Sequence, residues 1–235
     1  MGFLSIFRKS QNVSVIPLNG IIAPNMGRRK GLNLNEIDKN IEDAFSVKNL
    51  KAVALQINSP GGSPVQSEMI SKRIRGLSEK KNIPVLAFVE DVAASGGYWL
   101  ACSADEIFAS KASIVGSIGV IMSHPIAKKL LDNLGVDFKT YKSGEFKDSG
   151  SPYRYSSKND SIYFNQVVAD LHSQFINEVS MQRNIELNIL NKFAQGQVFT
   201  GRMASSIGLI DTIGTFEDAL NISKNLANIS CLLYT

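Results

Sequence analysis

The chain has 235 residues, of which 44% are hydrophobic and 20% charged, and this composition excludes a disordered, collagen-like or disulfide-dense protein. Its formal net charge of +4 originates in the first 30 residues, which hold five basic side chains and no acidic one. The other 205 residues hold 20 basic and 21 acidic side chains. Because a nucleic-acid groove needs Lys and Arg on the folded body, the charge pattern argues against nucleic-acid binding.

The first segment, residues 1–12, is predicted to be a basic and apolar arm. Its apolar patch, residues 3–7, precedes Arg8 and Lys9, a pattern that permits peripheral contact with an anionic membrane surface. The favoured interpretation is a loose or oligomer-buried terminus. No window approaches ~20 unbroken apolar residues, so we expect no transmembrane helix, and the charge order does not match a signal peptide. The expected location is cytoplasmic or at the inner face of the cell membrane.

Short apolar runs then alternate with helical patterns, which favours an α/β layered fold. Strands are predicted at 13–18, 52–57, 84–90, 106–109, 119–122 and 136–141, and helices at 33–45, 65–77, 93–104 and 126–134. An apolar stripe predicts a helical arm at about 156–194, followed by a strand–helix–strand unit at 197–214. A capping-box pattern at Thr215–Asp218 predicts a final helix. We expect one domain, 13–225, and a tail, 226–235.

Two glycine-rich turns follow neighbouring predicted strands. Residues 58–63 read NSPGGS, which permits either an ordinary turn or a cradle of backbone N–H groups for developing negative charge. Residues 93–99 read AASGGYW, in which a serine precedes a helix and is therefore either an N-cap or a nucleophile. Because ligand sites of α/β folds lie at one edge of the sheet, we expect the two turns to meet there.

A serine nucleophile needs a base, and neither histidine is a good candidate. His124 precedes a proline, and His172 lies in the helical arm, so a Ser-His-Asp triad is not expected. The cysteines, Cys102 and Cys231, have no metal-ligand spacing, and Cys102 is interpreted as a small core residue.

A neutral lysine is the alternative base. Three lysines, Lys139, Lys142 and Lys147, follow one another near a predicted strand end. Most lysines are solvated surface residues, and spacing alone does not choose among these three.

Five segments together resemble the signal peptide peptidase A (protease IV) family. They are INSPGGS (57–63), AASGGYW (93–99), GSIGVI (116–121), KSGEFKDSGSPYR (142–154) and GQVFTGRMASSIGLIDTIG (196–214). The likeness runs in order from about residue 13 to 225. It implies an α/β fold of the Clp-protease/crotonase type, built of ββα units and here carrying a C-terminal helical arm.

The resemblance also implies roles for five residues. Ser95 matches the family nucleophile, and Lys147 matches the general base of a Ser–Lys dyad. Ser117 matches a serine that helps to hold the lysine. The amides of Gly62 and Gly96 match the oxyanion hole.

The implied activity is that of a serine endopeptidase that cleaves hydrophobic peptides such as remnant signal peptides. The family further implies a homo-oligomer whose sites are shared between adjacent subunits, and neither a cofactor nor a metal is expected. Many members of the family carry an N-terminal transmembrane anchor, which we do not expect in this chain. The alternatives are a phage-type capsid-maturation protease, a crotonase-like acyl-CoA enzyme and a non-catalytic assembly partner.

Overall fold

The structure, a computed structural model, describes residues 11–25, 31–218, 220–221 and 233–234. The chain divides into two compact units, of which the second is Val120–Gln174 and the first is the remainder. Most of the predicted arm 1–12 and tail 226–235 lie outside the described residues, and the predicted domain boundaries stay a prediction. No helix of the described residues is both long enough and apolar enough to cross a membrane.

The helices and strands follow the predicted alternation. The strands are β1 (Asn12–Asn19), β2 (Leu50–Ser59), β3 (Val85–Ala94), β4 (Glu106–Ala109), β5 (Ile114–Gly116), β6 (Val198–Thr200), β7 (Thr212–Ile213) and β8 (Leu233–Tyr234). The helices are α1 (Leu34–Phe45), α2 (Pro64–Lys81), α3 (Gly96–Ala101), α4 (Lys128–Asn133), α5 (Lys158–Arg183), α6 (Leu187–Leu190) and α7 (Gly201–Ser206). One turn of 3₁₀ helix, Glu145–Asp148, lies between α4 and α5.

One sheet in the first unit contains all the described strands. The order along the sheet is β6–β5–β3–β2–β1–β8, and β4 pairs with both β3 and β7. Each pair is parallel except β5 with β6. This confirms the predicted α/β class with a parallel sheet.

Alternating side chains of the central strands form the main core. Leu55 of β2 and Ala87 of β3 point to the same buried cluster as Ile41 of α1 and Ile74 of α2. Helix α2 begins at the N-cap Ser63 with Pro64 in its first turn and ends at Asn82 in the left-handed conformation. These local signals define the strand-to-helix turn that follows β2 at this edge of the sheet.

Strand β3 is longer than its predicted range, 84–90, because it changes partners along its length. Its first half pairs with β4, and Val92–Ala94 pair with β5. Between these parts the register with β2 shifts, so that Ile57 pairs with Val89 but Ser59 pairs with Ala93. This register shift is a β-bulge, after which β3 continues to Ala94, the residue before Ser95 of the second glycine-rich turn.

Two predicted strands are wrong. The run 119–122 has no strand structure, because β5 ends at Gly116 and the backbone φ angles of Gly116 and Ser117 are positive, at 100° and 52°. The run 136–141 also has no strand structure. Its Phe138 is half exposed and stacks on Tyr153 at a centroid distance of 3.9 Å. An apolar run becomes a strand only where another strand offers its backbone, and neither run has such a partner within the described residues.

Candidate active site

Ser95 joins β3 to α3 in a strained backbone conformation. Its φ and ψ angles are 52° and −123°, a region that L residues rarely adopt because the Cβ atom crowds the backbone. The amide of Ser95 donates to the carbonyl of Gly116 at 2.8 Å, so the end of β5 holds this conformation. Such strain costs on the order of 1–3 kcal/mol and is concentrated at functional sites.

Ser95 occupies the position of an N-cap but does not act as one. Its side chain makes no capping hydrogen bond to α3. By contrast, the hydroxyl of Ser63 accepts from the amide of Gln66 at the start of α2. Within residues 93–104, Ser95 is the single position that is not buried. Ser95 is therefore held in strain before α3 without capping it, which is compatible with its predicted role as a nucleophile.

The turn at Gly61 and Gly62 packs directly against Ser95. A Cβ atom on Gly61 would lie 2.6 Å from the amide nitrogen of Gly96 and 2.8 Å from the Cβ atom of Ser95. A Cβ atom on Gly96 would lie 3.3 Å from the amide nitrogen of Gly62. The two glycine-rich turns therefore meet at one edge of the sheet, as expected, and only glycine permits this approach.

Ile22 fixes the position of this turn from the other side. Its amide donates to the carbonyl of Gly61 at 2.9 Å, and its carbonyl accepts from the amide of Ser63 at 2.7 Å. Within the described part of the chain, the amides of Gly62 and Gly96 have no acceptor. Two free N–H groups beside a serine hydroxyl can stabilise an oxyanion.

Ser117 belongs to the same edge. Gly116 pairs with Ala94, and the amide of Ser117 donates to the carbonyl of Gln197 at 2.7 Å. Ser117 has a φ angle of 52° and is half-buried. Four predicted site residues, Ser95, Gly62, Gly96 and Ser117, thus lie together in the first unit, while their chemical roles stay predictions.

The three candidate lysines lie in the second unit and differ in their contacts. Lys142 makes an ion pair with Asp148 at 2.7 Å. Lys139 lies over the ring of Tyr141, with its Nζ atom 5.3 Å from the centroid. Lys147, in the 3₁₀ turn, is exposed, and no partner for its side chain exists among the described residues. Its pairing with Ser95 stays a prediction.

An ion-pair network around Lys147 was not foreseen from the sequence. Arg154 binds Asp160 through two hydrogen bonds, at 2.5 and 3.0 Å, and binds Asp148 at 3.0 Å. Arg154 holds the pKa of Asp160 well below its usual range, and Arg154 followed by Lys142 lowers the pKa of Asp148. The sequence contained one indication of this network, since Asp148 and Arg154 lie in the same segment, residues 142–154, as Lys147.

The other reactive side chains considered in the sequence include Cys102, Cys231 and His124. Cys102 is buried, as predicted, and burial raises the pKa of its thiol to about 12. Cys231 lies outside the described residues. His124 lies in the second unit, with its Nε2 atom 3.2 Å from the hydroxyl of Ser156. Among the described side chains, no group of three or more His, Cys, Asp and Glu is placed to hold a metal ion.

Comparisons with known proteins agree with the motifs. A "Putative protease MJ0651" of Methanocaldococcus jannaschii is 38% identical over 190 residues, which cover 81% of this chain and 60% of that protein. A "Putative signal peptide peptidase SppA" of Enterococcus faecium is 35% identical over 219 residues, covering 92% and 63%. This chain therefore spans slightly less than two thirds of the length of these relatives.

A solved structure has the same fold. It is a mutant of the 1510-N membrane-bound stomatin-specific protease, with a TM-score of 0.60 and 16% identity, over 96% of this chain and 98% of that one. This similarity supports the predicted fold of the Clp-protease/crotonase type. The sequence profile described as Peptidase family S49 matches residues 78–230, a range that includes Ser95 and Lys147 but not Gly62. The chain belongs to peptidase family S49.

Proposed function

We propose that this protein is a serine endopeptidase in which Ser95 is the nucleophile. The observation that carries the proposal is the strained Ser95, which makes no cap and lies in a turn packed against the one that holds Gly62, where the amides of Gly62 and Gly96 have no acceptor among the described residues. A nucleophile whose intermediate is an oxyanion needs this combination of an accessible hydroxyl and fixed N–H donors. Family membership supports peptide hydrolysis as the reaction.

We assign the role of general base to Lys147. Lys142 is engaged by Asp148, whereas Lys139 and Lys147 have no carboxylate partner among the described residues, and of these two the resemblance to the family motif favours Lys147. In the proposed reaction, the Ser95 hydroxyl attacks the peptide carbonyl and its proton passes to neutral Lys147. Collapse of the intermediate breaks the C–N bond, and Lys147 returns the proton to the leaving amine. Water then hydrolyses the acyl-enzyme by the same route.

A lysine base must be kept neutral, and desolvation is one way to achieve this. Lys147 is exposed in the single chain, so a second surface would have to cover it. The second unit exposes many large apolar side chains, including Ile121, Leu134 and Tyr141. These support a homo-oligomer in which neighbouring subunits complete each site. An apolar site would suit hydrophobic peptides, and the name of the Enterococcus relative supports remnant signal peptides as substrates.

Replacing Lys147 by methionine is expected to lower the rate of peptide cleavage roughly 10²–10⁴-fold, because the serine proton then has no acceptor. The matched control is Lys139→Met, which removes another exposed lysine of the same segment and should retain activity. In the wild type, kcat/KM should rise toward alkaline pH, since only the neutral amine takes a proton. A pH–rate profile that peaks near pH 5 would contradict a lysine base.

Mixing inactive Ser95→Ala with inactive Lys147→Ala tests whether sites are shared. If each site takes its serine and its lysine from adjacent chains, random mixing restores about a quarter of the sites. The measurement is cleavage of a fluorogenic hydrophobic peptide after subunit exchange, which is verified by native mass spectrometry. No recovery despite verified exchange means that each chain forms its site alone.

A further inference from the structure

Arg154 connects the turn that carries Lys147 to the beginning of a long helix. Its guanidinium binds both carboxylate oxygens of Asp160, in the first turn of α5, and one oxygen of Asp148. Asp148 directly follows Lys147 along the chain. The side chain of Asp160 is only 3% exposed, so this contact is an internal anchor rather than a surface ion pair.

Further hydrogen bonds complete this anchor. The hydroxyl of Ser149 donates to Asp160 at 2.5 Å, and the amide of Ser157 donates to the same carboxylate at 2.7 Å. At the other end of the turn, Lys142 donates to the carbonyl of Glu145 at 2.9 Å. The turn is therefore held on both sides of Lys147.

Each carboxylate around the turn has a partner other than Lys147. Asp148 accepts from Lys142 and Arg154, Asp160 accepts from Arg154, and Glu145 accepts from the side-chain amide of Asn159. Other titratable residues of the second unit near the turn include Tyr155, whose backbone carbonyl accepts from Arg154, Tyr163 of α5, whose ring stacks on Phe146, and His124, whose ring lies beside Gly150. Two cations, Lys142 and Arg154, thus balance Asp148 and Asp160.

We propose that Arg154 is a positioning residue that anchors the turn and neutralises Asp148, so that Lys147 is left without a carboxylate partner and free to act as the base. The inference rests on the proposed role of Lys147. A carboxylate released beside a lysine stabilises its ammonium form, and a protonated lysine does not accept the serine proton. Lys142, Arg154, Asp148 and Asp160 together carry no net charge. Loss of Arg154 leaves this group with one net negative charge, whereas loss of the Asp148 charge leaves it with one net positive charge.

The test measures the rate of labelling of Ser95 by a fluorophosphonate probe as a function of pH, using the full chain. Arg154→Met should move the midpoint of the profile upward by about one pH unit, with a roughly tenfold loss of rate well below the midpoint. Arg154→Lys, which keeps the charge, should move it much less. Asp148→Asn should move the midpoint downward, and the double variant Arg154→Met with Asp148→Asn should return it toward that of the wild type.

If Arg154→Met does not fold, Asp148→Asn still tests the proposal through its downward shift of the midpoint. This variant should fold, because the asparagine side chain retains a hydrogen-bond acceptor at a half-buried site. A purely structural role would lower the rate at every pH and leave the midpoints in place, and this result overturns the inference. The proposed function fails separately, if Lys147→Met labels at the wild-type rate with the wild-type pH profile.

Discussion

Replacing Ser95 by alanine is expected to lower kcat for peptide cleavage by roughly 10⁴–10⁶-fold, the range found when the nucleophile of a serine peptidase is removed. The backbone strain at this position persists in the alanine variant, because alanine also has a Cβ atom. The free energy of unfolding should therefore stay close to that of the wild type. Cleavage of a fluorogenic hydrophobic peptide and covalent labelling by a fluorophosphonate both measure the loss.

The matched variant Ser95→Gly separates strain from chemistry. Glycine adopts the φ angle of 52° without steric cost, so this inactive variant should be more stable than the wild type by about 1 kcal/mol. For a chain of this size that corresponds to a rise of about 2–4 °C in Tm. Such a result would show that the protein sacrifices stability to present this hydroxyl.

One outcome would contradict the assignment of Ser95 as the nucleophile, and another would contradict the argument from strain. Retained labelling in Ser95→Ala would mean that another hydroxyl is the nucleophile. A Tm of Ser95→Gly below that of Ser95→Ala would mean that the positive φ angle is not a source of strain. The second result would leave the chemical assignment intact and would overturn only the argument from strain.

Replacing Gly62 by alanine is expected to affect both stability and catalysis. The new Cβ atom would lie 2.0 Å from the carbonyl oxygen of Ile22, which is backbone and has little freedom to move. The turn must shift, so we expect a loss of more than about 2 kcal/mol in the free energy of unfolding. The displaced amide should also lower kcat by about 10²–10³-fold, as the loss of one oxyanion-hole donor does.

Gly20→Ala is the control for this substitution. Gly20 also has a positive φ angle, of 92°, but an added Cβ atom would meet no heavy atom within 4 Å. This variant should lose only the conformational term, roughly 1–2 kcal/mol, and keep its kcat. Equal effects of the two substitutions on kcat would show that close approach at Gly62 does not position an oxyanion donor. Urea denaturation, together with peptide cleavage, measures both quantities.

Local patterns in the sequence were sufficient for most of the fold. The buried-type runs of β2 and β3 and the spacing of Ile37 and Ile41 in α1 predicted a parallel sheet covered by helices, because burial on both faces leaves a continuous apolar run. The capping box at Thr215 was also visible, and Asp218 accepts from both the amide and the hydroxyl of Thr215. Such signals act within a few residues, so the sequence alone reveals them.

The motifs also supplied the candidate site residues, but not their geometry. The segment AASGGYW is equally compatible with an N-cap and with a nucleophile. In the structure the amide of Ser95 donates to the carbonyl of Gly116, a residue of another strand, and Ser95 has a strained conformation without a capping contact. The meeting of Gly61 with Gly96 likewise depends on the adjacency of β2 and β3 in the sheet.

The largest gaps between sequence and structure concern contacts that no local pattern encodes. The runs 119–122 and 136–141 have strand-like composition but lack a partner strand among the described residues. Among three similar lysines, only the structure showed that Lys142 is bound to Asp148, whereas Lys139 and Lys147 have no carboxylate partner among the described residues. By itself, the sequence determined the fold class and supplied the candidate site residues. The tertiary structure decided that the backbone of Ser95 is strained and that Lys142, unlike Lys139 and Lys147, has a carboxylate partner among the described residues, because both depend on groups that folding brings together.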